Sequence, residues 1–209
     1  MSAVILCDGE PPSKKTIELA LQTSDLFIAA DGGANVAFKL NLEPDIIIGD
    51  LDSYSSTGNE NSKIIHDPDQ ETNDLEKALR YAHTHLIEEV IVFGATGKRV
   101  DHTLKNLSVL LQFDASFRRI IFKDRRSTMF YIKSPFQMEL PVGTSISLFP
   151  VSGKVEQISS EGLLYPLIND TLENGVMDGT SNQTTKKRFE IEFEKGDLLL
   201  LINSTEINI

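Results

Sequence analysis

The sequence predicts an α/β protein: a doubly wound, mostly parallel sheet followed by a small all-β sandwich or barrel. Three observations carry this expectation. Through the first ~125 residues, short apolar runs alternate with segments of helical spacing. The runs are almost free of polar residues, as strands covered on both faces should be. From about Arg126 helical spacing gives out, and short strands separated by Pro, Gly, Asn and Asp take over.

Each element follows in order. "AVILC" is an apolar strand. "PPSKKTIELALQTS" opens on proline and spaces Ile17, Leu19, Ala20 and Leu21 as a helix does. "LFIAA" is the second strand, and a helix runs from about Ala34 to Leu40. "DIIIG" is the third strand. "TNDLEKALRYAHTHL" is a helix with Thr72 or Asn73 as its cap. "EVIVFG" is a strand, "DHTLKNLSVLLQF" a helix and "RIIFK" a strand. In the second half "FQMEL", "TSISLFP", "VEQISS", "RFEIEFE" and "DLLLLI" read as strands. The predicted domains are residues 1–130 and 131–209, with the seam near Ser134-Pro135.

Composition narrows the function. The chain has 209 residues, 40% hydrophobic and 24% charged, enough for a sizeable core. Its formal net charge of -11 repels phosphate backbones and anionic lipid, which argues against nucleic-acid or membrane-surface binding. A cationic or metal-bound ligand suits that field. The single cysteine, Cys7, excludes an internal disulfide and fits a reducing cytoplasm. No apolar run approaches the ~18 residues of a membrane span, and the N-terminus lacks the basic region of a signal peptide.

Ligands of doubly wound sheets bind beyond the carboxyl ends of the strands. There this chain places acids. Asp31 ends the second strand, and Asp50 and Asp52 end the third. Asp74 opens a helix, and Asp101 follows "FGATGKRV". In an extended segment Asp50 and Asp52 would point the same way. Crowded carboxylates repel unless a cation sits between them, and all-oxygen coordination suits Mg2+. The competing reading is a turn whose aspartates cap backbone N–H groups. Gly94 and Gly97 allow close backbone approach to a ligand, and Lys98 and Arg99 offer charge to phosphate oxygens. The spacing there is not that of a Walker A loop.

Taken in order, "ADGGAN", "GDLDS", "DQETNDLEKAL", "GATGKRVDHTL", "GLLYPL" and "DGTSN" resemble thiamine pyrophosphokinase, nearly end to end. The resemblance implies transfer of pyrophosphate from ATP to the hydroxyethyl group of thiamine, giving AMP and thiamine diphosphate. It also implies Mg2+ dependence and a cytoplasmic homodimer with shared active sites, each built from an α/β ATP- and Mg2+-binding catalytic domain and a β thiamine-binding domain. By the same resemblance Asp50, Asp52 and Asp74 bind the metal, and Asp31 completes the acidic set. Gln70, Asn73, Gly97, Lys98, Arg99 and Asp101 lie at the nucleotide, and Thr180, Ser181 and Asn182 meet thiamine. Asp74 and Asp31 are the two candidates to accept the hydroxyl proton. Asn73 stands where many members have threonine, and Lys98 stands where many have glycine. A tryptophan that stacks on thiamine in some members is absent, because the chain contains none. Two other readings compete: a nucleotide-sugar glycosyltransferase using Asp-x-Asp with a metal, and a non-catalytic thiamine or nucleotide sensor.

Overall fold

A computed structural model describes residues 1–56, 58 and 61–203. The chain divides into two compact units, Met1–Arg125 and Arg126–Ile209. The division falls a few residues before the expected 130/131 boundary. Residues 204–209 of the expected second domain lie outside the described residues.

The first unit runs β1 (Ser2–Leu6), α1 (Lys14–Leu21), β2 (Leu26–Ala30), α2 (Gly33–Lys39), β3 (Ile46–Gly49), β4 (Lys63–His66), α3 (Asp74–Thr84), β5 (Glu89–Phe93), α4 (Val100–Phe113) and β6 (Arg119–Lys123). Its strands lie in the order β6-β5-β1-β2-β3-β4, and all adjacent pairs are parallel. The chain steps outward from β1 to β4, then returns to lay β5 on the other side of β1. Right-handed crossovers therefore put α1 and α2 on one face and α3 and α4 on the other. Ile17 and Ala37 close the first face against Val4, Leu6, Phe27 and Phe93. The point where the strand order reverses lies between β1 and β5, the usual ligand position in such sheets.

β4 was not expected. "KIIH" is short, largely exposed and flanked by charge, so it lacks the apolar signature of its neighbours. It is an edge strand, held to β3 by register pairs from Ile46↔Lys63 to Gly49↔His66.

The second unit is wholly β: β7 (Thr128–Ile132), β8 (Phe136–Glu139), β9 (Ser145–Pro150), β10 (Val155–Glu161), β11 (Asp170–Leu172), β12 (Gly179–Gln183), β13 (Arg188–Glu192) and β14 (Leu198–Asn203). Antiparallel β12-β9-β14-β7 forms one sheet and β11-β10-β13-β8 the other. Ile146, Leu148, Leu198 and Leu200 from the first meet Ile158, Leu172, Phe189 and Ile191 from the second in one buried core. That is the expected sandwich. β7, β11 and β12 are additions to the expected strands.

Candidate active site

The carboxyl ends of β1, β2 and β5 open onto a cavity of about 350 Å³ at the switch point. Asp8, Asp31, Asp74, Lys98, Arg99 and His102 supply its ionisable lining together with Cys7. Glycine lets the loops converge. Gly94 holds φ 66°, and a Cβ there would stand 2.5 Å from the carbonyl oxygen of Cys7. A Cβ on Gly49 would stand 2.7 Å from Asp31 Cβ and 3.0 Å from Asp74 Oδ1, so this glycine clears the space between two acids.

Asp31, Asp50 and Asp74 come together: one carboxylate oxygen from each lies within 4.8 Å of the others. Asp31 is 3% exposed, at φ 42°. Its Oδ2 accepts from the Ser53 backbone N–H at 3.3 Å, while its buried Oδ1 has no partner among the described residues. Burial first, and then the charge of Asp74, hold its pKa above the ordinary carboxylate range. Asp74 is likewise raised, by burial first, with Lys77 opposing at 3.3 Å and Asp50 adding repulsion. Asp50 is lowered instead. Gln70 Nε2 donates to its Oδ2 at 2.9 Å and the Asp52 backbone N–H donates to its Oδ1 at 3.2 Å. Three hard oxygen donors and a buried orphan oxygen fit a small divalent cation such as Mg2+.

Asp52 is not in this trio. The expectation that it points with Asp50 assumed an extended backbone, but Leu51 sits at φ 63° and breaks the alternation. The Asp52 side chain is exposed and accepts from the Ser53 hydroxyl at 2.9 Å. Asp31, expected only to complete the acidic set, is a full member.

The expected nucleotide residues divide. Asn73, Gly97, Lys98 and Arg99 line the cavity; Gln70 and Asp101 do not. Gln70 instead orients Asp50. Asp101 holds Arg99, which donates Nε to Oδ1 at 3.1 Å and Nη2 to Oδ2 at 2.5 Å. That pairing pulls the Asp101 pKa down to about 2. Lys98 pairs with Asp8 at 2.8 Å across ninety positions of sequence. Asn73 caps α3, its Oδ1 accepting from the Glu76 N–H at 2.9 Å. Its Nδ2 donates to Asn106 Oδ1 at 2.8 Å, and Asn106 Nδ2 donates to the Ala95 carbonyl at 2.7 Å.

Sequence reasoning missed Asp8, Lys77 and Asn106. Asp8 follows the first strand as Asp31 follows the second, so the strand-end rule could have found it. Lys77 lies three residues after Asp74 inside an apolar helix face, also a visible signal. Asn106 gave none, because only folding brings it to Asn73.

In the second unit "DGTSN" leads into strand from Gly179 onward. β12 pairs with β9, and the register slips between Gly179 and Asn182, leaving Thr180 and Ser181 as a bulge with Ser181 at φ 60°. Both are exposed or nearly so. Asn182 is 4% exposed. Its Oδ1 accepts from the Tyr165 and Gln183 N–H groups at 3.1 and 2.8 Å, and its Nδ2 donates to the Tyr165 carbonyl at 2.7 Å. Its amide therefore holds the "GLLYPL" loop at Tyr165.

Comparison with known proteins gives one answer. Residues 17–122 match the family model described as thiamin pyrophosphokinase, catalytic domain. Residues 132–198 match thiamin pyrophosphokinase, vitamin B1 binding domain. Thiamin pyrophosphokinase 1 of Caenorhabditis elegans is 31% identical over 199 residues, covering 88% of this chain and 82% of its own. Thiamine pyrophosphokinase of Bacillus subtilis is 27% identical over 194 residues, covering 87% and 88%. The solved thiamin pyrophosphokinase of Candida albicans shares the fold at a TM-score of 0.85 and 20% identity, over 97% of this chain and 88% of that one. Neither a glycosyltransferase nor a non-catalytic sensor is favoured by these matches. The chain belongs to the thiamin pyrophosphokinase family, enzymes that transfer pyrophosphate from ATP to thiamine.

Proposed function

We propose that pyrophosphoryl transfer takes place at the β1/β5 switch point and that Asp31, Asp50 and Asp74 hold Mg2+ there. The observation that carries this reading is the convergence of the three carboxylates, with a buried orphan oxygen on Asp31, which lines the cavity with Asp74. Bound there, the ion would supply positive charge to the phosphate oxygens of ATP as the bond to AMP breaks. The rest falls to side chains of this chain. Arg99, held in plane by Asp101, presents its guanidinium to phosphate oxygens, and Lys98 can exchange Asp8 for the same oxygens. Asn73 and Asn106 fix the start of α3, and with it Asp74. Gln70 orients Asp50. Catalysis is then positioning and charge neutralisation, with little covalent work for the protein.

The exposed Thr180–Ser181 bulge, with Asn182 fixing Tyr165 behind it, is proposed to meet thiamine. A cytoplasmic homodimer with sites shared between subunits completes the reading. Among the described residues no helix is long and apolar enough to cross a membrane.

The deciding experiment is direct. Incubated with ATP, Mg2+ and thiamine, the protein should yield AMP and thiamine diphosphate in equal amounts, and chelator should stop the reaction. ADP with thiamine monophosphate, or undiminished turnover in chelator, would reject the reading.

A further inference from the structure

Helix α3 buries two charged residues in succession, and they serve different partners. Glu76 accepts from Arg80 Nη2 at 2.8 Å, Gln112 Nε2 at 3.0 Å and Lys105 Nζ at 3.3 Å, so its charge is met from α3 and α4. Lys77 has no part in that group. Its side chain is 1% exposed, and among the described residues its ion-pair partner is Asp74, with Nζ 3.3 Å from Oδ1. The two are three residues apart, on one face of the helix. Lysine is rarely buried to this degree unless paired, because desolvating an ammonium is costly. The partner chosen is a member of the acidic trio, and the charge of Lys77 is also felt at Asp50.

We infer that Lys77 is a positioning residue for the metal set: it fixes Asp74 and cancels one of the trio's three negative charges. The inference rests on the metal reading above. Three carboxylates within 4.8 Å of one another carry a charge of about -3 when ionised. With the ammonium of Lys77 beside them the net is about -2, equal and opposite to one divalent ion. Lys77 also occupies Asp74 Oδ1, and the Ser53 N–H occupies Asp31 Oδ2. The buried Asp31 Oδ1 stays without a partner among the described residues. Such a site takes a small ion that keeps its own waters, as Mg2+ does.

The test is direct Mn2+ binding to the full-length protein, followed by electron paramagnetic resonance, with turnover measured alongside. Lys77→Met should bind Mn2+ about tenfold more tightly than wild type, because a repelling charge is gone, and should turn over at least tenfold more slowly, because Asp74 is no longer held. Lys105→Met makes the same change in net charge away from the trio and should bind Mn2+ within about twofold of wild type. A lysine that only held Asp74 in place, without offsetting the charge of the trio, would give the opposite for Lys77→Met: looser Mn2+ binding, or none. Unchanged or weaker binding by that variant therefore overturns the inference while leaving the metal site standing. Absence of Mn2+ binding by the wild type overturns both. If Lys77→Met is too unstable to titrate, melting with and without Mn2+ decides. A larger Mn2+-induced rise in Tm than in wild type supports the inference, and an equal or smaller rise overturns it.

Discussion

Asp31 has a buried carboxyl, an oxygen without a partner and a like-charged neighbour in Asp74. Each of these favours the proton. The folded state therefore holds a proton at Asp31 more tightly than the unfolded chain does. As pH rises from below the ordinary aspartate value of about 3.9 through the raised folded value, the folded state loses stability. Asp31→Asn removes that loss. In chelator at neutral pH the variant should melt above wild type, by roughly 2–4 °C for each kcal/mol of strain relieved. The gap should close as pH falls below the ordinary aspartate range. Turnover should drop by at least a hundredfold, since one of the three negative charges offered to the metal is gone. Paired melting curves and AMP release measure both effects, and a variant that melts no higher would show that Asp31 is not strained. The strand-end rule made Asp31 and Asp50 legible in the sequence. It gave no sign that Asp52 stands apart from the trio, because one left-handed residue, Leu51, turns the chain between them, and a non-glycine positive φ leaves no mark in the sequence.

Helices α3 and α4 show how elements, rather than single residues, aim the site. Leu75, Ala78, Leu79 and Ala82 form the buried stripe of α3. Asn73 and Asn106 join the N-terminal part of α3 to α4, and Glu76 joins the middle. Burial alone would raise the Glu76 pKa, but donors from Gln112 and Lys105 more than offset it, and the net shift is downward. This contribution is complete above the ordinary glutamate value of about 4.3 and is lost as pH falls through the lower folded value. Glu76→Gln should therefore cost about 1–3 kcal/mol at pH 7, with the deficit shrinking in acid. Urea melts across pH would reveal it, and a deficit that grows in acid would contradict the sign. Most elements were legible because their apolar periods are long and clean. β4 was not, being an exposed edge, and neither was β12, whose "GTSNQ" has no apolar run and becomes a strand only by pairing with β9. Tertiary pairing supplied what local pattern lacked.

At the scale of the whole molecule the proposed dimer makes a quantitative claim. If each site takes its metal from one chain and its thiamine contacts from the other, two dead variants should rescue each other. Asp50→Asn lacks the metal site, and Ser181→Trp blocks the bulge. Mixed dimers would hold one doubly damaged site and one intact site, returning up to about half the wild-type activity per mixed dimer. Verified subunit exchange without recovered turnover would assign metal and thiamine contacts to the same chain. The acidity of the chain, at -11, favours the approach of cationic thiamine whichever arrangement holds. The sheet order also bears on how the enzyme is made. β1 lies between β2 and β5, and its pairs on one side run from Ser2↔Glu89 to Leu6↔Phe93. β1 is thus a central strand made before β5, and one of its edges stays bare until Phe93 has been synthesised. A nascent chain halted before Glu89 displays unpaired N–H and C=O groups along an apolar segment, a template for pairing with other chains. Premature termination in that window leaves β1 with an open edge rather than a smaller finished sheet, and only the arrival of β5 closes it.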